Sequence, residues 1–121
     1  MNMVDRCAAL SAMRHASGQV TTLSIDRILF KEPIYVGELV EVRSRVVRVG
    51  RTSMSVLANV YAEHIATGVR RHTNECWLTF VHLNEEGSPS AVPPLILETD
   101  DERQMNETAV RRRDQLRVER P

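Results

Sequence analysis

Four runs rich in β-branched residues divide the middle of the chain: Gln19 to Phe30, Leu39 to Val49, Thr52 to Ile65 and Arg70 to Leu83. Apolar and polar positions partly alternate within them. This is the period at which successive strand side chains point to opposite faces, so each run predicts a strand. The alternation is clearest in the third run, where Met54, Val56, Ala58, Val60 and Ala62 share one face and Ser53, Ser55, Asn59 and Glu63 the other. Leu57 and Tyr61 interrupt its polar side. In the first run Leu23 and Ile25 give way to Ile28 and Phe30, a change of phase that predicts a bulge near Asp26. The connections are too short for helical crossovers, so the strands are expected to pair antiparallel as a long, curved meander.

Ahead of the strands, Met3 to His15 repeats at helical spacing. Met3, Cys7 and Leu10 form an apolar stripe, and Ala8, Ala9 and Ala12 offer a small-residue surface suited to close packing on a sheet. After Leu83 the turn-rich stretch Asn84 to Pro94 closes on Val92-Pro93-Pro94, which cannot continue a sheet interior. From Glu98 to Pro121 acids come early and bases late, the order that complements a helix dipole, with Thr99 placed as N-cap. The expected fold class is therefore α+β, with one sheet domain over 1–97 and a charged surface helix over 98–121. A single helix covers one face of a sheet, and a second copy of the chain is the expected cover for the other.

Composition narrows the function classes. The 121 residues, 42% hydrophobic and 26% charged, can bury a core without disulfide or metal staples. Sixteen basic residues balance sixteen acidic ones, so no overall field draws in nucleic acid or an anionic membrane surface. Cys7 and Cys76 have no metal-ligand spacing and point to a reducing compartment. No stretch approaches the ~18 apolar residues of a membrane span, and the start has no signal-like pattern; the expectation is a cytoplasmic protein. The five glycines lie too far apart for a phosphate-binding loop.

Taken on their own, the candidate residues have ordinary explanations. Asp5 is an acid in a helix's first turn, Thr52, Ser53 and Ser55 are polar-face strand residues, and Arg112 and Arg113 belong to a solvated charge run. The four histidines make no ligand pair on one helix, Cys7 reads as a packing residue, and Trp77 reads as core or subunit interface.

In sequence order, however, the segments form a recognisable set. They are Met3-Val4-Asp5-Arg6-Cys7-Ala8-Ala9 with Arg14-His15; Val20-Thr21-Thr22 through Asp26 to Phe30; and Pro33-Ile34 with Val36-Gly37-Glu38. They continue with Gly50-Arg51-Thr52-Ser53-Met54, Thr67-Gly68 with Thr73-Asn74, and Val92-Pro93-Pro94-Leu95 before the tail. Together they resemble the hotdog-fold acyl-CoA thioesterases of the cytosolic, brain-type acyl-CoA hydrolase group and its bacterial relatives. The resemblance implies a curved antiparallel sheet wrapped around one central helix, assembled as a homodimer or trimer of dimers. It also implies hydrolysis of acyl-CoA with no metal or redox cofactor.

By the same resemblance, Asp5 is the catalytic carboxylate, and Thr22, Leu23, Ser24, Thr52, Ser53 and Met54 line the acyl-CoA groove. Arg112 and Arg113 would reach the CoA phosphates, with Arg51, Arg70 and Arg71 weaker candidates. Family members carry a first strand and a glycine-rich loop ahead of the helix. This chain begins inside the helix, so the resemblance implies an N-terminally incomplete domain lacking an oxyanion donor. Two rivals follow: a non-catalytic acyl-CoA-binding or structural hotdog, and a hotdog hydratase or dehydratase. The latter's Asp and His spacing is missing.

Overall fold

A computed structural model describes the backbone of residues 2–119 and the side chains of residues 3–112. The elements run α1 (Asn2–Ala16), β1 (Gln19–Phe30), β2 (Leu39–Val49), β3 (Ser53–Glu63), β4 (Arg70–Leu83) and α2 (Asp100–Glu119). The strands form one antiparallel sheet in the order β1-β4-β3-β2, and α1 touches all four. The expected α+β architecture is the observed one, and the four predicted runs match the strands to within two residues at each end.

Helix α1 packs on its small side. Val4, Ala8, Ala12 and Ala16 are buried against Met54, Val56, Ala58, Val60, Cys76, Leu78 and Phe80. This corrects the stripe expected from Met3, Cys7 and Leu10, for Met3 and Leu10 are 52% and 63% exposed. Alanines let the helix axis come close enough for strand side chains to reach its backbone, which the longer side chains would prevent. Cys7 instead leans toward β2: its sulfur lies 3.2 Å from the Ser44 hydroxyl, which donates to the Cys7 carbonyl at 2.9 Å. Ser11 donates to the Ser44 carbonyl at 3.2 Å. These bonds tie α1 laterally to β2 and fix its rotation.

The helix ends at Ser17, whose φ of 58° breaks the helical path, and Gly18 follows. A Cβ on Gly18 would stand 2.7 Å from Nε2 of His82, so a side chain there would have to push that ring aside. Nδ1 of His82 donates to the Ala91 carbonyl and Nε2 of His15 to the Pro93 carbonyl, both at 2.8 Å. Two histidines therefore strap the post-sheet segment against the end of α1.

The opposite face of the sheet is covered in part by the chain's own α2. Val47, Leu57, Trp77 and Ala109 are buried together, with Met105 packed on them. Leu57 broke the sequence alternation because both faces of β3 are covered at that point. A second copy is thus not the sole cover for this face, contrary to the expectation. Thr99 caps α2 as foreseen, accepting the Glu102 amide at 3.1 Å, while its hydroxyl donates to the Glu102 carboxylate.

At the far end of the sheet, Arg71 of β4 donates to both Glu38 oxygens at 2.6 and 2.7 Å, and the Tyr35 amide adds a third bond. The Arg71 hydrogen bonds, followed by the Tyr35 amide, hold the Glu38 carboxyl below the ordinary glutamate range. A carboxyl whose pKa is lowered by folding adds stability that is complete above its unfolded value and is lost as pH falls through the folded one. The melting-temperature gap between wild type and Glu38→Gln should therefore be full at neutral pH and shrink as acid carries the protein through and below the ordinary glutamate range. A gap independent of pH across that window would refute the assignment.

Candidate active site

Asp5 lies in the first turn of α1, where the unpaired amides of a helix N-terminus favour negative charge. It is half-buried on the side of the helix that faces β1. Thr22 of β1 is paired with Phe80 of β4 and shares its face of the sheet, the face covered by α1. The Thr22 hydroxyl donates to Oδ1 of Asp5 at 3.2 Å. One carboxylate oxygen is thus oriented by a neighbouring strand while the carboxyl group stays at the edge of the core.

The remaining residues singled out in the sequence are scattered around this pair. Leu23 sits at a register shift between Thr22 and Ser24 and is 51% exposed. Ser24 is paired with Thr79, on the opposite face from Asp5, and donates to Asp26. Thr52 precedes β3, and its carbonyl accepts the His82 amide at 2.9 Å. The Ser53 hydroxyl accepts from Arg48 at 3.2 Å, and the Met54 side chain is fully buried beneath α1. Arg112 stands over the Trp77 ring at 4.5 Å on the α2 face of the sheet. Burial and the nearby Arg27 hold its guanidinium below its usual pKa. The side chain of Arg113 lies outside the described residues. Of the residues named from sequence, the fold brings Asp5 and Thr22 into contact.

Sequence reasoning missed the carboxylate of Asp26 as a hydrogen-bonding centre, although the break in alternation marked its position. It also missed the Cys7–Ser44–Ser11 contacts that set the rotation of α1. Beside those contacts a groove of about 540 Å³ runs between α1 and β2, lined by Leu10, Ser11, Arg14, His15, Ser44 and Leu95 among others. Among the described residues, no three histidine, cysteine or acidic side chains converge as a metal-binding set.

Comparison with known proteins gives a consistent picture. Residues 1–69 match the family model described as the thioesterase superfamily. A Bacillus subtilis protein named uncharacterized acyl-CoA thioester hydrolase YkhA is 38% identical over 112 residues, 93% of this chain. The chain spans 65% of that relative's length. A solved apo-hexameric acyl-CoA thioesterase superposes with a TM-score of 0.92 at 38% identity, covering 99% of this chain and 78% of the other. The acyl-CoA hydrolase of Staphylococcus aureus, solved with butyryl coenzyme A, coenzyme A and coenzyme A disulfide, gives 0.90 at 32% identity over 98% of this chain and 72% of its own. Two of its solved alanine variants replace an aspartate and a threonine 17 positions apart, the separation of Asp5 and Thr22 here. On sequence, fold and coverage together, the chain belongs to the thioesterase superfamily, among its hotdog-fold acyl-CoA thioester hydrolases.

Proposed function

We propose that this chain hydrolyses acyl-CoA thioesters to free CoA and a carboxylic acid, with Asp5 as the catalytic carboxylate. The observation that carries the reading is the Thr22 hydroxyl on Oδ1 of a carboxylate at a helix N-terminus. A thiolate is already a good leaving group, so the reaction needs a carboxylate to act on the carbonyl or on water, and a donor for the developing oxyanion. With Oδ1 held by Thr22, Oδ2 has two routes. In one it takes the proton of an attacking water, whose oxygen displaces CoA thiolate, and that proton then goes to the thiolate. In the other it attacks the carbonyl itself, breaking the C–S bond to release CoA thiolate and giving an anhydride that water hydrolyses to the carboxylic acid and free Asp5. The spacing shared with the replaced aspartate and threonine of the Staphylococcus aureus enzyme supports both residues, and that enzyme's bound butyryl coenzyme A supports the substrate class.

The proposed assembly is a homodimer or a trimer of dimers, and the hexameric state of a solved relative supports the larger of the two. β1 lies at the edge of the sheet, and Leu23, Ile25 and Phe30 along it are 51%, 46% and 78% exposed. An edge of this length with exposed apolar side chains favours pairing with another strand. In a groove shared between protomers, Leu23 would face the ligand, and Thr52 and Ser53 would contribute polar groups. Arg112 sits across the sheet from Asp5, so a phosphate contact from it or from Arg113 would be made to the site of another copy.

The test is release of free thiol from a series of short to long acyl-CoAs. Turnover that saturates with substrate is expected. CoA binding without turnover would overturn the reading in favour of an acyl-CoA-binding module, and hydration of an enoyl-CoA without thiol release would identify a hydratase.

A further inference from the structure

Strand β1 departs from regular pairing twice within six residues, between Thr22 and Ser24 and between Ile25 and Arg27. Each bulge leaves a residue out of the ladder and weakens the hold of the sheet on the strand. Among the described residues β1 pairs with β4 alone. The position of such bulges decides which face each side chain takes, because a slip of one residue moves a side chain to the other side of the sheet. Thr22 stands immediately before the first bulge. A slip there would carry its hydroxyl away from Asp5 and onto the α2 face.

One side chain is placed to prevent the slip. Asp26, the residue left out at the second bulge, accepts the Thr79 hydroxyl on Oδ2 at 2.6 Å and the Ser24 hydroxyl on Oδ1. Ser24 lies between the two bulges, and Thr79 is its pairing partner on β4, fully buried. A single carboxylate therefore clamps the short segment between the bulges to the neighbouring strand. Loss of that acceptor would leave a buried Thr79 hydroxyl without its partner. We infer that Asp26 is a positioning residue: it locks the double bulge of β1 and so keeps the Thr22 hydroxyl on the Asp5 carboxylate. Its kinetic consequence rests on the hydrolase reading, whereas its geometric consequence does not.

The experiment uses the full chain and two independent measurements. Asp26→Ala and Thr79→Val should each lower kcat for thiol release by about 10–100-fold with KM within about twofold, the cost of a misplaced catalytic group. Combining the two should add nothing, and Thr79→Ser, which keeps the hydroxyl, should retain wild-type kcat within about twofold. In a Thr22→Val background, Asp26→Ala should have no further effect on kcat. A merely structural aspartate would instead cost the same in both backgrounds. By NMR, the Thr22 amide and methyl resonances should move in Asp26→Ala and Thr79→Val and stay in place in Thr79→Ser. Should Asp26→Ala fail to fold, Thr79→Val carries the same comparison. Equal losses with and without Thr22, or unmoved Thr22 resonances in a folded variant, overturn the assignment. Absence of wild-type turnover would sink the hydrolase reading, and the resonances would still decide the role of Asp26.

Discussion

Asp5→Asn should lower kcat for thiol release by about 10²–10⁴-fold, the range that positioned proton transfer contributes. Asparagine keeps the size of the side chain, and its carbonyl oxygen still accepts the Thr22 hydroxyl that now reaches Asp5 at 3.2 Å. What it loses is a group able to take a proton or attack a carbonyl. KM should change little, because asparagine keeps the contact with Thr22 on the edge strand and the substitution leaves the arginines untouched. Stability should fall by no more than about 0.3–1 kcal/mol, the worth of an acid in the first turn of a helix. These numbers separate the two explanations of Asp5 raised by the sequence. An acid that only complements the dipole would show the small stability loss with kcat intact, and steady-state kinetics beside a urea titration distinguish the cases in one protein preparation.

The largest expected loss of stability lies beside that pair, on the same face of the sheet. Phe80→Ala should cost about 3–5 kcal/mol, a large fraction of the roughly 5–15 kcal/mol that holds a domain folded. Phe80 has no exposed surface and lies in the core under α1. It is the pairing partner of Thr22 on one side and Met54 on the other. Removing the ring would leave a cavity under the helix and loosen the strands that carry Thr22. Leu10→Ala is the matched control, since Leu10 is 63% exposed and surface truncations usually stay within about 0.5 kcal/mol. Urea midpoints that differ by less between Phe80→Ala and Leu10→Ala than the cavity argument requires would show that the site can collapse around the loss.

The strands were legible because alternation survives wherever one face of the sheet meets α1. The exceptions were legible as anomalies before their causes were known. Leu57 marked where α2 covers the second face, and the phase change around Asp26 marked a bulge that the structure contains. On α1 the sequence offered two surfaces, and the small-residue one of Ala8 and Ala12 is the buried one, because close approach to a sheet selects for small side chains and leaves Met3 and Leu10 outside. The Asp5–Thr22 contact has no local signature. It joins a helix to a strand 17 residues later, and its existence depends on the first register shift of β1, between Thr22 and Ser24, whereas the alternation marked the second, at Asp26. The role proposed for Asp5 rests on family resemblance, and periodicity alone leaves it an acid in a helix's first turn.

Trp77 is the sequence's one tryptophan, buried under α2 with the Arg112 guanidinium over its ring and its indole N–H given to Glu75 at 2.7 Å. The protein therefore carries a built-in optical reporter at the contact between helix and sheet. Intrinsic fluorescence should shift to longer wavelength whenever α2 lifts and water reaches the indole. Docking of the C-terminal helix can thus be followed without a label, separately from events around Asp5 on the other face of the sheet.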